Sequence, residues 1–177
     1  MGHVIEPAAS GRAKCRGCGA KLGKGELRFG ERFPNPFGEG EATHWYHPLC
    51  AAYKRPQPVI DSLDDVRAAL GEVEALEREA RLGLEHRRAP RVDGAGRAPT
   101  GRARCRSCRE PIDKDAWRIG LVYYEDGRFQ PSGYVHARCA AGYFGTTELM
   151  PRIRHFAGEL DDAALAAIEV EIHSGSG

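Results

Sequence analysis

The sequence predicts a small α+β protein built from two metal-stapled modules, each followed by a helix. Three observations predict it. The quartet Cys15-x2-Cys18 … His47-x2-Cys50 recurs as Cys105-x2-Cys108 … His136-x2-Cys139, and the two copies use all 6 cysteines of the 177-residue chain. The copies sit inside a longer internal repeat with an offset of 90 residues. Short strand-like runs lie between the two halves of each quartet, and an amphipathic helical stretch follows the first.

Each quartet offers three thiolates and one imidazole. That is a full tetrahedral set for structural zinc, with no position left for water. Cys15, Cys18, His47 and Cys50 are therefore expected to hold one Zn2+, and Cys105, Cys108, His136 and Cys139 a second. The gap between the two clamps is 28 residues in the first copy and 27 in the second. A disulfide framework is the alternative for 6 cysteines, but the start MGHVIEPAAS has no apolar signal-peptide core to suggest export. A thioredoxin-like redox pair would not need a matched H-x2-C partner. No carboxylate pair or Cys–His nucleophile stands outside the quartets, so the expectation is a binding module and not an enzyme.

Along the chain, Ser10-Gly11-Arg12-Ala13-Lys14-Cys15 matches Thr100-Gly101-Arg102-Ala103-Arg104-Cys105. Lys24, Arg28 and Gly30 match Lys114, Arg118 and Gly120. Glu26 to Phe33 and Trp117 to Glu125 read as strands, and His44 to His47 as a short second strand. Phe33 to Gly38, with two prolines and a glycine, reads as a loop. Ala51 to Tyr53 and Ala140 to Gly142 close short helical turns. Ser62 to about His86 reads as one helix, opened by a capping-box-like Ser62-x-x-Asp65. Leu63, Val66, Leu70, Val73, Leu76 and Ala80 form its apolar stripe, expected to pack on the preceding finger; the alternative is a coiled-coil dimer through residues 62–86. Leu160-Asp161-Asp162 repeats Leu63-Asp64-Asp65 and marks the second trailing helix. The domains are then 1–90, a linker at 91–100, and 101–177. Ser174 to Gly177 is expected to be unstructured. Trp45 and Tyr134 are expected in the core, His44 in a structural role, and His3, His86, His155 and His173 facing solvent.

The formal net charge of +1 conceals a division. Lys and Arg outnumber Asp and Glu nine to four from Ser10 to Arg55, and nine to five from Arg97 to Gly145. The segment Asp61 to Arg88 is acidic, and the tail from Glu159 to Ile172 carries only acidic charge. Arg far exceeds Lys. Its planar fork suits phosphate contact; a GC-rich genome is the other reading. No apolar run approaches the ~20 residues needed to span a membrane.

Ser-Gly-Arg-Ala-x-Cys-x2-Cys, then Lys24 and Leu27-Arg28, then His44-Trp45-Tyr46-His47-x2-Cys50, resembles the PARP-type zinc finger. That finger occurs in tandem in poly(ADP-ribose) polymerases and singly in the nick-sensing region of a DNA ligase. The resemblance covers residues 3–88 and extends to 97–172, where Gly133-Tyr134-Val135-His136 replaces the usual His-Trp-Tyr-His. It implies two CCHC PARP-type modules that bind strand breaks and nicks by structure, not by sequence. By the same resemblance Arg12, Arg28, Arg102 and Arg118 hold backbone phosphates, with Lys14 and Arg104 adding charge beside them. Phe37 and Ala42 lie where the family caps an exposed base pair. In the second module Phe129, then Tyr124, are the stacking candidates.

The expected function is zinc-dependent, structure-specific binding of DNA with breaks, nicks or gaps. A repair enzyme is the expected protein partner. The expected setting is intracellular, a bacterial cytoplasm and nucleoid or a nucleus, with no membrane. The alternative is a zinc-scaffolded protein-interaction adaptor using the Ser62–His86 helix.

Overall fold

The computed structural model describes residues 2–175, in two compact units, Met1–Glu85 and His86–Gly177. In the first unit, β1 (Val4–Pro7), β2 (Leu27–Pro34) and β3 (Glu41–Tyr46) form an antiparallel sheet in that order. The two faces follow from strand alternation. Phe29 sits opposite Tyr46, both buried, and with Leu22, Val59 and Ala80 they fill the core. The other face carries Arg28, Gly30 and Trp45. A cross-strand pairing sets Gly30 opposite Trp45, and a Cβ at Gly30 would lie 2.7 Å from the indole. Only glycine leaves room for the indole there; at the repeat partner Gly120 a Cβ would stand 3.8 Å from the Tyr134 ring, an ordinary contact.

The helices follow as α1 (Pro48–Lys54), α2 (Pro56–Asp61), α3 (Leu63–Leu70) and α4 (Glu74–Glu85). Proline opens both α1 and α2, where its missing N–H costs nothing. The single helix expected over 62–86 is thus two. Gly71 adopts φ +77° and ends α3, its N–H bonding to the Arg67 carbonyl. Ser62 does not cap α3 either; its hydroxyl donates to the Pro58 carbonyl at 2.6 Å. The apolar stripe is covered within the unit, with Val66, Val73, Leu76 and Ala80 buried and α4 packed against α1 and α2. Four of the six stripe residues are thus taken up by the finger's own core, while Leu63 and Leu70 stay half-buried.

The second unit repeats the plan with β4 (Val92–Arg97), β5 (Trp117–Glu125) and β6 (Arg128–His136), again antiparallel in that order. This corrects the linker expected over 91–100. Val92 and Ala98 are buried, and β4 pairs with β5 from Val92↔Leu121 to Arg97↔Trp117. Glycines and prolines suggested a boundary, but the segment pairs as an edge strand, and one of its glycines faces a neighbouring backbone: a Cβ at Gly94 would meet the Phe156 carbonyl at 3.3 Å. Helices α5 (Ala140–Phe144), α6 (Met150–Phe156) and α7 (Asp162–Ser174) complete the unit. Asp161 caps α7 by accepting from the Ala164 N–H at 2.8 Å. Of the tail expected to be unstructured, Ser174 ends α7, and residues 176–177 lie outside the described residues.

The 90-residue offset holds in the backbone. The Gly25 N–H bonds to the Ala8 carbonyl as the Asp115 N–H does to that of Ala98, both at 2.8 Å. Gly19 (φ +78°) corresponds to Arg109 (φ +69°), and Gly25 (φ +81°) to Asp115 (φ +66°). The second unit thus puts side chains where a left-handed turn favours glycine. A non-glycine residue in that region costs roughly 1–2 kcal/mol. Arg109→Gly is expected to stabilise the second unit by about 1 kcal/mol, read as a raised unfolding midpoint with zinc content unchanged; a lowered midpoint would show that the Arg109 side chain contributes more than its strain.

Candidate metal centres and basic surface

In each unit a tight knuckle supplies the first two ligands. The Lys14↔Lys21 bridge closes it in the first and the Arg104↔Pro111 bridge in the second. The Gly19 N–H bonds back to the Cys15 carbonyl, and the Arg109 N–H to that of Cys105. The Arg16 N–H reaches the Trp45 carbonyl, and the Arg106 N–H that of Tyr134, pinning each knuckle to its third strand. That strand delivers the histidine, and the helical turn after it delivers the last cysteine. Gly17 sits so close to Cys50 that a Cβ there would lie 2.8 Å from it. Buried Lys54 donates to the Gly17 carbonyl at 2.7 Å and locks the turn from outside.

The ligand atoms of each quartet lie within 4.8 Å of one another. His47 Nδ1 is 3.4 Å from Cys18 Sγ and 3.8 Å from Cys50 Sγ. His136 Nδ1 is 3.5 Å from Cys108 Sγ and 3.7 Å from Cys139 Sγ. Zinc with bonds of about 2.3 Å to sulfur and about 2.0 Å to nitrogen requires tetrahedral edges of roughly 3.5–3.8 Å. The donor set and its spacing fit zinc and leave no open position. Nδ1 is the ligating atom in both, so Nε2 is free for an outer partner. His136 Nε2 faces the Pro111 carbonyl at 3.1 Å, and His47 Nε2 faces Glu26 at 3.6 Å.

Local electrostatics favour the ligating form at Cys15, Cys105 and His136 and oppose it at Cys18, Cys50 and Cys139. The Cys15 sulfur shares a hydrogen bond with Cys50 that holds the Cys15 thiol down at about 4, helped by backbone N–H groups that include those of His47 and Gly17. The same bond, with burial, pushes Cys50 upward. Burial acts against charge on Cys105, but N–H groups of Cys108, His136 and Ser107 outweigh it and its thiol lies below the ordinary value. Burial, then the Arg138 charge, lowers His136 and so favours the neutral imidazole. Burial and the charge of Cys105 raise Cys139 to about 12; a bound cation offsets such penalties directly.

The outer face of each sheet carries the basic residues. Arg28 lies over Trp45, its Cζ 3.5 Å from the ring centroid, and donates to Glu6 at 2.7 Å. Arg118 lies over Tyr134 at the same 3.5 Å. Trp45 and Tyr134 are therefore half-buried platforms on this face; Trp45 is not the core residue that its pattern suggested, whereas Tyr134 also packs against the second unit's core. Stacking of a guanidinium on an aromatic face contributes roughly 0.5–2 kcal/mol and fixes its direction. Arg12, Lys14, Arg102 and Arg104 are exposed around the knuckles. Lys21, opposite Lys14, and Glu6, opposite Arg28, also belong to this surface. Neither had a spacing signal; only strand register brings them in.

Phe37 is 93% exposed at the tip of the β2–β3 loop, where Asn35 Oδ1 accepts from the Phe37 N–H at 3.0 Å. Ala42 is not in that loop: it is half-buried on β3 opposite Phe33, on the core-facing side. The second unit has no such loop. Its hairpin turns tightly through Asp126 (φ +49°) and Gly127 (φ +76°), a primed turn. Tyr124 and Phe129 form a cross-strand pair beside it, ring centroids 4.9 Å apart. His44 is buried against Phe33, centroids 4.3 Å apart. His3 does not simply face solvent, since its Nδ1 accepts from the Arg32 N–H at 3.2 Å, and His155 stacks edge-on against Phe156. Among the described residues no helix is long and apolar enough to cross a membrane.

Two closed Cys3His centres, each set between a three-stranded sheet and short helices, define a tandem zinc-finger protein, and the chain holds two zinc ions. Residues 6–86 match the family described as the poly(ADP-ribose) polymerase and DNA-ligase Zn-finger region, so this segment is a PARP-type zinc finger. The chain is 26% identical over 181 residues to a poly [ADP-ribose] polymerase of Drosophila melanogaster, covering 89% of this chain and 18% of that one. It is 28% identical over 175 residues to poly [ADP-ribose] polymerase 1 of Gallus gallus, covering 84% and 17%. With poly [ADP-ribose] polymerase 1 of Oryza sativa subsp. japonica the values are 27% over 146 residues, 76% and 14%. The chain thus spans less than a fifth of the length of these curated relatives.

Proposed function

We propose that these 177 residues bind DNA at strand breaks, nicks or gaps, without catalysing a reaction. One observation carries the reading: each zinc knuckle stands beside an arginine stacked at 3.5 Å on an aromatic of the sheet's outer face. That arrangement fixes the direction of a guanidinium for a phosphate backbone, and exposed Arg12 and Lys14 in one unit and Arg102 and Arg104 in the other add charge from the knuckles. Such contacts position a protein on DNA without reading bases. Phe37 supplies what charge cannot, a flat apolar group for an exposed base-pair face. In the second unit Phe129 and Tyr124 are the stacking candidates in this reading, whereas Ala42, on the core-facing side of β3, drops out of the set. Two fingers on one chain raise avidity when both reach the same DNA. The setting is intracellular, wherever DNA is repaired, and a repair enzyme is the natural protein partner.

A panel of nicked, gapped, blunt-ended and closed circular duplexes at two salt concentrations tests the reading. Log affinity should fall steeply with log salt, and broken DNA should win over circular. Arg118→Ala is expected to weaken binding to nicked duplex and to reduce the salt slope by roughly 1, whereas Arg28→Ala, whose guanidinium is already paired with Glu6 at 2.7 Å, is expected to change the slope by less. A wild-type slope in Arg118→Ala would make Arg118 an ordinary surface charge. Equal affinity for broken and circular DNA would remove the break-sensing part and leave the adaptor reading ahead.

A further inference from the structure

We infer that the two fingers are electrostatically unequal: Glu6 neutralises Arg28 from within the first, whereas Gly96 leaves Arg118 of the second free to take an anion. The inference rests on the phosphate-binding reading above and goes beyond it by assigning the stronger phosphate contact to the second finger. Strand register carries the argument. In the first sheet Glu6 stands opposite Arg28 on the neighbouring strand. Its carboxylate meets the guanidinium at 2.7 Å, and the Arg28 side chain is only 11% exposed. In the second sheet the residue opposite Arg118 is Gly96. Both arginines keep their aromatic platform at 3.5 Å, so the lost carboxylate is the difference between them.

Among the described residues no carboxylate lies within ion-pair distance of Arg118. A cleft of about 240 Å³ opens beside it, bordered by Gly94, Gly96, Gly120 and Arg97. Asp93 and Glu159 also line this cleft, but neither replaces Glu6. A Cβ placed on Gly96 would meet nothing within 4 Å. A side chain at this position would therefore start into open space, and a phosphate oxygen is the ligand chemistry that a stacked guanidinium with no ion-pair partner favours. In the first finger an incoming phosphate must displace or tolerate a carboxylate already bound to the same fork. A phosphate contact of this type accounts for roughly a tenfold change in affinity near 0.1 M salt and about one unit of salt slope.

Two opposite substitutions in the full chain test this. Glu6→Gln should tighten binding to nicked duplex up to about tenfold and raise the salt slope by about 1. Gly96→Glu should weaken binding by about tenfold and lower the slope by about 1. A second measurement does not depend on DNA: titration with inorganic tripolyphosphate while following the arginine Nε–Hε signals by NMR. Arg118 should respond in the wild type and Arg28 should not; in Glu6→Gln both should respond, and in Gly96→Glu neither. Zinc content and unfolding midpoint verify that each variant is folded; if Glu6→Gln loses metal, Gly96→Glu decides alone. Unchanged affinity and slope in the folded variants, or equal response of Arg28 and Arg118 in the wild type, would overturn the inference. If the protein binds no DNA yet shows the unequal tripolyphosphate response, the DNA reading fails and the asymmetry stands.

Discussion

Cys18→Ala is expected to reduce bound zinc from two ions to one and to unfold the first finger while the second stays folded. Cys18 is exposed, so its removal takes almost nothing from the apolar core. What it removes is one of four ligands of a closed site. The metal is the largest single contribution to a module of this kind, with structural zinc in isolated fingers contributing on the order of 10–16 kcal/mol at neutral pH. A unit of this size draws only roughly 3–5 kcal/mol from its apolar core. The ligands also hold separate parts of the chain together: Cys15 and Cys18 on the knuckle, His47 at the end of β3 and Cys50 on α1. Losing the ion releases all three, and with them the cradle around Phe29 and Tyr46. Elemental analysis and amide NMR of the variant check this. Two zinc ions per chain in Cys18→Ala, or dispersed native signals across residues 4–85, would show that three ligands and the core suffice.

Phe37→Ala is expected to cost about 1–3 kcal/mol on nicked or blunt-ended DNA and almost nothing on a closed circular duplex. A basic zinc module holds any duplex by charge; a break sensor needs energy that only an exposed base-pair face provides. Phe37 is placed to provide it. Its ring is 93% exposed, a position that has no role in the core and costs apolar hydration until something covers it. The turn beneath it is held by the Asn35 side chain, so the loop presents the ring without depending on it. Zinc content and unfolding midpoint should stay at wild-type values. Equal loss on broken and circular DNA would assign Phe37 to shaping the surface in general, and the cap would then lie elsewhere.

The tight Asp126-Gly127 hairpin bears on the same point. The two fingers share a metal site but not a loop, so stacking by the second would have to come from Tyr124 and Phe129. Those rings already pack on one another. Together with the unequal partners of Arg28 and Arg118, this suggests a division of labour in which the first finger caps a base pair and the second grips phosphate.

The sequence by itself pointed to the metal centres, because eight ligands fall into two matched quartets whose C-x2-C and H-x2-C clamps are fixed by covalent spacing. It determined the two-unit plan as well, since the 90-residue offset reappears in matched turns, strands and backbone bonds. Strands β2 and β5 were legible from alternation. Only the tertiary structure decided the rest. The helix read through 62–86 breaks because Gly71 takes a left-handed φ that a periodic apolar stripe does not reveal. The stretch 91–100 is a strand because β5 supplies an edge for it to pair with, whatever its glycine content. Trp45 and Tyr134 lie on the outer face because strand register, set by Phe29 opposite Tyr46 in one sheet and Ile119 opposite Val135 in the other, leaves them on the other side. Glu6 and Gly96 acquired meaning only when that register set them opposite Arg28 and Arg118. Spacing along the chain fixes which atoms can share an ion; which charges face each other is decided by pairing between strands that are distant in sequence.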